Sequence, residues 1–212
     1  MQRAGDAART TSTMHRNGFA ISLGLATTLV GAPPQRLTLA PAGNEARYRV
    51  REQLANLSFP SDAVGTTQSV TGAIVIGDDG KIVPAQSKIV VDLTTLKSDS
   101  ERRDGFIQRR TLETGQYPTA TLVPTVARGL PNPLPKSGSF SFELDGDFTV
   151  HGTTRPTTWQ VTAQATDSGY AGTAKTHFTF GEFGLEQPRV MVVLSVEDDI
   201  RLEYDFHLVL TR

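Results

Sequence analysis

The C-terminal stretch "IRLEYDFHLVLTR", which starts at Ile200, alternates apolar and polar side chains along its length. The apolar parity comprises Ile200, Leu202, Tyr204, Phe206, Leu208 and Leu210. The polar parity comprises Arg201, Glu203, Asp205 and His207. A period of two places these sets on opposite faces of a β-strand. At about 3.3 Å per residue the strand exceeds about 30 Å, a length that suits the tilted wall of a barrel.

A second alternating run extends from Phe140 to Val150. Its apolar parity carries large side chains except at Gly146, where a glycine leaves room for the bend or bulge that a curved sheet needs. Shorter runs with strand patterns are "SVTGAIVI", "SKIVVDLTTL", "ATLVPTV", "WQVTAQA", "THFTF" and "VMVVLSV", together with Tyr48 to Leu54. These runs predict about eight or nine strands.

The segment from Ser98 to Pro118 departs from strand alternation. Ser98 and Glu101 have the spacing of a capping box, and apolar residues follow at helical spacing. Because Gly105 disfavours a long helix, we expect one or two helical turns followed by an irregular stretch.

Strands therefore dominate the chain, and one helical insertion leaves no room for βαβ units. This pattern predicts an antiparallel sheet that is either closed into a barrel or folded into a sandwich. A barrel needs only one apolar face per strand when its interior holds the core or a ligand, and the observed alternation fits that requirement.

Composition narrows the class of function. The 212 residues carry 21 Lys and Arg against 22 Asp and Glu, which gives a formal net charge of −1. Nucleic-acid binding relies on a basic excess, so we expect no nucleic-acid partner. Cysteine is absent from the sequence, which excludes disulfides, thiolate metal sites and cysteine nucleophiles.

The N-terminal segment has the parts of a secretory signal. A basic stretch at Met14 precedes the apolar run "GFAISLGLATTLVGA", which ends in small residues. The run is too short for a spanning helix of about 20 residues, and its ending fits the small-x-small cleavage rule. We therefore predict a signal peptide over residues 1–32 and a secreted or periplasmic, cell-envelope location, with Met14 as an alternative start and an uncleaved anchor as the alternative fate. Residues 33–46 are interpreted as a linker and residues 47–212 as the folded domain.

The sequence contains none of the motifs that commonly indicate an enzyme active site or a metal site. His151, His177 and His207 lie far apart, each on the polar parity of its strand, without zinc-ligand spacing. The pairs Asp78–Asp79 and Asp198–Asp199 each fall in a predicted hairpin turn, where aspartate bonds its own backbone. Nucleophile elbows, phosphate loops and dinucleotide fingerprints do not occur. We therefore expect no enzyme activity, no metal and no cofactor.

The stretch "DFTVHGTTRPTTWQV" places His151 and Arg155 between two predicted strands. They could be a catalytic pair, a metal ligand with its neighbour, or parts of a turn. The intervening Gly152 and the following Pro156 favour a turn. We expect His151 and Arg155 to flank a tight connection and to hydrogen-bond carbonyls or carboxylates at the rim of the barrel.

These residues also carry a family resemblance. "LDGDFTVHGTTRPTTWQV" resembles the Leu-x-Gly-x-Leu-Thr-x-His/Asn-Gly-x-Thr-Lys/Arg-Pro core of the YceI-like family, the lipocalin-like polyisoprenoid-binding proteins of bacteria. The segment "SKIVVDLTTLKSDSERRDGFIQRRTLETGQYPTATL" is similar to a strand, an Arg-Asp helix and a Tyr-Pro strand of that family. The matching positions are Arg103, Asp104, Tyr117 and Pro118.

Two further segments extend the resemblance in the same order. "GEFGL" is similar to the family's Asp-Phe-Gly-Ile segment, with Phe183 and Gly184 at the matching positions, and "SVEDDIRLEYDFHLVL" is similar to its closing strand. The similarity covers about Val70 to Leu210.

The resemblance implies an all-β fold, an antiparallel lipocalin-like barrel of about eight strands with a short helical insertion. It further implies a secreted lipid-binding protein that sequesters or carries a long-chain isoprenoid or alkyl amphiphile, such as an isoprenoid quinone. This lipid would be a ligand rather than a cofactor. The expected ligand-binding wall residues are Ile74, Ile76, Phe142, Leu144, Phe148, Trp159, Val161, Ala163, Phe178, Leu202, Tyr204 and Phe206.

An alternative interpretation is a cell-envelope interaction module with a packed barrel core and no lipid ligand. Its contacts with an envelope protein partner would be the proline-rich loop "ARGLPNPLPKSG" and a basic helix face. The face comprises Arg102, Arg103, Arg109 and Arg110. A third interpretation, an enzyme that acts on a lipid inside the barrel, lacks an identifiable nucleophile or base. These patterns leave the oligomeric state open.

Overall fold

The structure is a computed structural model that describes residues 34–56, 58–189 and 191–211. The predicted signal peptide, residues 1–32, lies outside the described residues. In the described part eleven strands form one sheet. The strands are β1 Gln35–Leu39, β2 Glu45–Leu54, β3 Ser61–Thr67, β4 Val70–Ile76, β5 Lys88–Asp92, β6 Lys97–Ser98, β7 Thr119–Arg128, β8 Ser139–Val150, β9 Thr153–Ala165, β10 Gly169–Phe178 and β11 Val193–Thr211.

The sheet closes on itself through β11, the longest strand. One edge of β11 pairs with β10, and the opposite edge pairs first with β2 and then with β1. Around the ring the neighbours are β1, β4, β5, β7, β8, β9, β10 and β11, and every pairing is antiparallel. The predicted antiparallel barrel of about eight strands is therefore confirmed, and the sandwich is excluded.

Three of the eight wall positions are interrupted strands. β1 and β2 pair with the same edge of β11 and occupy one position, with a break at residues 40–44. β4 pairs with β1 and β3 pairs with β2, which makes the second interrupted position. β5 and β6 continue these pairings on the far side of β4 and β3 and make the third. These breaks explain why the eight positions contain eleven strands.

The prediction that residues 33–46 form a linker is wrong. β1 lies within that segment, and β2 begins at Glu45. Leu37 and Leu39 point into the barrel and are 4% and 9% exposed. Two apolar residues flanking Thr38 are a weak strand pattern, which the surrounding prolines and alanines hide. The strand forms because its backbone completes the ladder of β11 and its leucines join the core.

Asn44 holds the break between β1 and β2 together. Its side-chain amide donates to the carbonyl of Ala40 at 2.7 Å. Its Oδ1 accepts from the backbone N–H of His207 at 2.9 Å and from the Tyr204 hydroxyl at 3.2 Å. Asn44 is buried, so its side chain supplies the partners that β11 would otherwise lack where the neighbouring strand is interrupted.

The helical insertion lies between β6 and β7, as predicted. Helix α1 spans Glu101–Phe106 and continues as a π-helical turn over Ile107–Thr111. Its N-cap is Ser100, whose hydroxyl accepts from the N–H of Arg103 at 3.4 Å. The predicted capping box from Ser98 is wrong because that residue belongs to β6. No helix in the described ranges is both long and apolar enough to cross a membrane.

The two aspartate pairs differ in their setting. Asp79 lies in a turn and accepts the backbone N–H two residues further on at 3.0 Å, as predicted. Asp198 and Asp199 do not lie in a hairpin turn; they lie in an irregularity of β11 where the register with β2 shifts. Asp198 accepts from the backbone N–H of Phe180 at 2.8 Å. A bulge lets the strand continue, so β11 is longer than either of its two predicted segments.

The bulge predicted at Gly146 is present in the pairing of β7 with β8. Opposite Gly146 the register shifts between Pro124 and Val126, so the extra residue belongs to β7. A Cβ on Gly146 would lie 2.8 Å from Cδ1 of Leu122 and 2.8 Å from the carbonyl oxygen of Val123. The glycine therefore permits the close approach of the two strands at this point.

We expect Asn44→Ala to destabilise the barrel by about 2 kcal/mol, because two buried donors lose their acceptor. Urea unfolding monitored by the fluorescence of the single tryptophan, Trp159, measures the change. Tyr204→Phe is the matched control, since it removes only one of the hydrogen bonds to Asn44 and should cost less. Wild-type stability in Asn44→Ala would show that the strand ladders alone hold the break.

Candidate ligand-binding cavity

The inward-facing side chains of the barrel enclose a cavity of about 960 Å³ with a predominantly apolar lining. Ligand pockets commonly measure about 300–1,000 Å³, so this cavity is at the large end of the range. All twelve predicted wall residues line it. They are Ile74, Ile76, Phe142, Leu144, Phe148, Trp159, Val161, Ala163, Phe178, Leu202, Tyr204 and Phe206. Their contact with a ligand stays a prediction.

Small side chains at several inward positions keep this space open. Ala163 of β9 and Ala174 of β10 both line the cavity. Gly172 of β10 pairs with Ala163 on one side and with Phe206 on the other. A Cβ on Gly172 would lie 2.8 Å from Cζ of Phe206, so the phenyl ring occupies the space beside Gly172 that a side chain would need. Larger residues on these neighbouring strands would fill the volume.

Part of the interior is packed core. The ring centroid of Phe148 lies 5.7 Å from that of Trp159, 6.0 Å from that of Phe178 and 5.6 Å from that of Phe183. Phe183 is 1% exposed and anchors this cluster. Three predicted wall residues, Phe148, Trp159 and Phe178, therefore line the cavity and also pack against the core.

The loop between β7 and β8 covers one end of the barrel. Leu130 and Leu134 of this loop pack against the core and line the cavity. The Tyr170 hydroxyl donates to the carbonyl of Pro135 at 3.0 Å, and the ring of Tyr170 lies 5.7 Å from that of Phe140. The proline-rich loop is therefore folded over the barrel end.

The cavity opens at the opposite end, beside α1 and the start of β11. The exposed residues of the described lining are Arg102, Arg189, Met191 and Val192, whereas the other lining residues are buried or half-buried. We call the end formed by these four residues the mouth.

A buried ion pair lies just inside the mouth. Glu52 of β2 is 8% exposed, and its carboxylate accepts a hydrogen bond from the guanidinium of Arg103 at 2.8 Å. Arg103 also pairs with Asp99. Burial opposes the charged form, but the hydrogen bond to Asp99 and the negative charges of Glu52 and Asp99 raise the pKa of Arg103 above its usual value. A cation is thus fixed at the edge of an apolar space.

The predicted basic helix face is partly wrong. Arg102, Arg109 and Arg110 are exposed, as expected for a solvated face. Arg103 instead turns inward to Glu52, because the helix lies beside the inward face of β2.

Tyr48 adds a hydroxyl near this ion pair. The ring lies across Gly65 of β3, where a Cβ would be 2.3 Å from Cε1 of the tyrosine. Burial raises the pKa of Tyr48, with the positive charge of Arg103 opposing the rise, so the hydroxyl stays neutral and able to donate. No described residue hydrogen-bonds to this hydroxyl, which leaves it available to a ligand.

His151 lies within a turn and does not flank it as predicted, whereas Arg155 lies in β9 beside the turn. His151 and Gly152 are the two-residue connection between β8 and β9, with φ of 50° and 71°, the conformation that tight hairpins favour. His151 Nε2 lies 2.8 Å from Oε2 of Glu113, and Arg155 Nε donates to the carbonyl of Glu182 at 3.1 Å. The prediction that the two residues bond a carboxylate and a carbonyl at the rim is confirmed.

The remaining histidines do not converge on a site. His177 Nδ1 lies 2.9 Å from Oδ1 of Asp199 on the exterior, and the backbone N–H of His207 bonds Asn44. Within residues 34–56, 58–189 and 191–211, no group of three or more His, Cys, Asp or Glu is placed to hold a metal ion.

Tyr48 and Glu52 are not among the predicted wall residues. The signal that identifies them is the parity of β2, on which Ala46, Tyr48, Val50, Glu52 and Leu54 all face the cavity. A single acid on an otherwise apolar parity indicates a polar group in the interior. Its partner, Arg103, comes from a distant helix and has no such signal.

Comparison with known proteins agrees with this architecture. A family model described as a YceI-like domain matches residues 38–208. No curated protein matches the sequence.

Solved structures share the fold at low sequence identity. A polyisoprenoid binding domain from Saccharophagus degradans is 12% identical with a TM-score of 0.61, and the match covers 83% of this chain and 98% of that one. Burkholderia cenocepacia BcnA is 13% identical with a TM-score of 0.55, over 77% and 94% of the two chains. A Campylobacter jejuni YCEI protein is 13% identical with a TM-score of 0.56, over 76% and 91%. These structures support the fold, and because the family model spans nearly the whole barrel, the chain belongs to the YceI-like family.

Proposed function

We propose that this protein binds a long-chain isoprenoid or alkyl amphiphile in its barrel and sequesters or carries it without chemical change. The observation that carries the proposal is a large apolar cavity, closed at one end by the β7–β8 loop and open at the mouth. A linear apolar chain fits this shape, because it can enter at the mouth and extend toward the closed end.

The hydrophobic effect provides the driving force. Burial of apolar surface contributes about 25 cal/mol per Å², so a long chain gains a large free energy, from which the cost of ordering chain and protein is subtracted. The polar end of the ligand would remain at the mouth, where the Tyr48 hydroxyl, Arg103 and Glu52 supply hydrogen-bonding groups in a mostly apolar setting.

An isoprenoid is the chain type that we favour, and an isoprenoid quinone is the specific candidate. Membership of the YceI-like family supports this choice, as does the fold shared with a polyisoprenoid binding domain from Saccharophagus degradans. A quinone has carbonyl acceptors at its polar end, which match the donors of Tyr48 and Arg103.

Export to the periplasm or the outside of the cell is part of the proposal. Its support is the apolar run from Gly18 to Ala32 with its basic flank and small-residue ending. A carrier in an aqueous compartment would shield an isoprenoid chain that is insoluble there.

The alternative, an interaction module with a packed barrel, is less well supported. That interpretation requires a filled barrel interior, but the interior contains the cavity. The proline-rich loop that would contact a partner packs against the core through Leu130 and Leu134. The exposed arginines of the helix remain the strongest feature in its favour; Arg102 lines the mouth, whereas Arg109 and Arg110 lie on a separate surface with Gln108 and Glu113.

We expect the protein from its native envelope to carry a lipid, and the delipidated protein to take up an isoprenoid quinone at a ratio of one to one. Native mass spectrometry with lipid extraction measures both, and the intact mass in the same experiment reports whether residues 1–32 have been removed. Protein that carries no lipid, and takes up neither a quinone nor a long-chain alkyl amphiphile, would contradict the proposed function.

Ala163→Trp should expel the ligand and leave a folded barrel, because the indole would occupy the cavity beside Gly172. Thermal melting together with lipid mass spectrometry distinguishes the outcomes. If the interior were solid in solution, the same change would overpack it and cost about 1–3 kcal/mol with no lipid to lose.

Tyr48→Phe should weaken binding of an isoprenoid quinone by about 2–10-fold, the value of one hydrogen bond, and leave the melting temperature unchanged. A pure hydrocarbon of similar length should bind both proteins equally. The matched control is Tyr204→Phe, whose hydroxyl bonds Asn44 instead of facing a ligand. Equal quinone affinity in Tyr48→Phe and wild type would remove Tyr48 from the binding site.

A further inference from the structure

Exposed apolar side chains concentrate at the mouth. Phe59 is 80% exposed, Met191 99%, Val192 56% and Leu194 67%. They are four of the six large apolar residues that are exposed in the described chain; the other two, Val126 and Leu210, lie on strands away from this end. Monomeric proteins rarely expose such groups together without a partner.

These four residues belong to two neighbouring segments of the fold. The backbone N–H of Ala55 donates to the carbonyl of Val192 at 3.0 Å, and Leu54 pairs with Val193. The connection from β2 to β3, which carries Phe59, therefore lies next to the segment that enters β11. We call Phe59, Met191, Val192 and Leu194 the apolar tip.

The tip is continuous with the cavity. Met191 and Val192 are members of the tip and also line the cavity at its mouth. An apolar path thus leads from the exterior surface into the barrel. A partner that covered the tip with its own apolar side chains would be covering the ligand entrance as well.

Two positive charges without an ion pair lie at the mouth. Arg102 and Arg189 line the mouth, are exposed, and form no ion pair with any described residue. The two acidic residues of the cavity lining are already neutralised, since Glu52 pairs with Arg103, and Glu203 pairs with Arg47. The mouth therefore presents two free guanidinium groups, which bind phosphate oxygens well.

We propose that the apolar tip and the two arginines dock the mouth on the surface of a bilayer that contains anionic phospholipids. The tip side chains enter the boundary between head groups and acyl chains, and Arg102 and Arg189 contact lipid phosphates. The docked mouth faces the acyl region, so a chain-like ligand passes between bilayer and cavity without crossing water. This last step rests on the proposed function, whereas docking itself does not.

The test uses residues 33–212, because every described strand of the closed barrel lies within them and the apolar N-terminal run would itself bind lipid. Sedimentation with phosphatidylglycerol-containing vesicles is compared with sedimentation with pure phosphatidylcholine vesicles, at low and high salt. We expect stronger binding to the anionic vesicles, and we expect salt to weaken it.

The variant Phe59→Ser/Leu194→Ser removes two tip residues that do not line the cavity. It should lower vesicle affinity about tenfold or more and slow ligand transfer from vesicles, with uptake from detergent unchanged. Val126→Ser, at an exposed apolar site on β7 away from the mouth, is the matched control and should bind vesicles as the wild type does. Arg102→Gln/Arg189→Gln should abolish the preference for anionic lipid.

Wild-type vesicle binding by Phe59→Ser/Leu194→Ser would overturn the proposal. Absence of vesicle binding by the wild type would also overturn it. If light scattering then showed a dimer that the tip variant dissociates, the tip would be a contact between two copies of the chain. Failure of the wild type to take up any lipid from detergent would instead contradict the proposed function and leave docking to be judged by sedimentation alone.

Discussion

The pairing of β11 with two successive strands along one edge is the interaction on which the barrel depends. Its first part pairs with β2 and its last part with β1, while β10 runs along the other edge. The same pairing is reinforced by Arg47, whose guanidinium donates to the carboxylates of Glu45, Glu203 and Asp205. These hydrogen bonds, led by the one to Glu45, raise the pKa of Arg47 above its usual value against the opposing effect of burial.

Because the sheet closes into a ring, one set of alternating side chains in each strand faces the interior and the other set faces outward. Every strand then has one face toward a common interior, and inward residues of all strands meet whatever their separation in sequence. In this chain the inward positions of β9 and β10 include Ala163, Gly172 and Ala174, so the rings of Phe148, Trp159 and Phe206 cannot fill the space. The cavity follows from small residues in a closed sheet, and its single open end is the feature on which the proposed carrier function rests.

The sequence predicts the structural features that depend on the alternation of side chains along a strand. It does not predict the features that depend on pairing between distant segments. Twelve wall residues were predictable because strict alternation in long strands assigns every side chain to a face, and all twelve line the cavity. β1 was not predictable, since five residues gain their structure from the ladder of β11. The aspartates 198 and 199 favour a turn locally, yet they lie in a bulge because β2 continues beside them. The inward orientation of Arg103 depends on Glu52, which is distant in sequence and leaves no local pattern.

The stability of the barrel does not by itself explain why an ion pair, Glu52 with Arg103, lies just inside the mouth. A buried ion pair gains little over well-packed apolar residues of similar size, because desolvation offsets most of the attraction. Apolar residues there would extend the cavity lining and leave α1 without a directional contact to β2. The pair instead fixes the helix beside the mouth, with Arg102 directed outward from the adjacent position and the Tyr48 hydroxyl close by. The charged pair therefore sets a polar boundary at the mouth of an apolar cavity, where the polar group of the proposed amphiphile would lie.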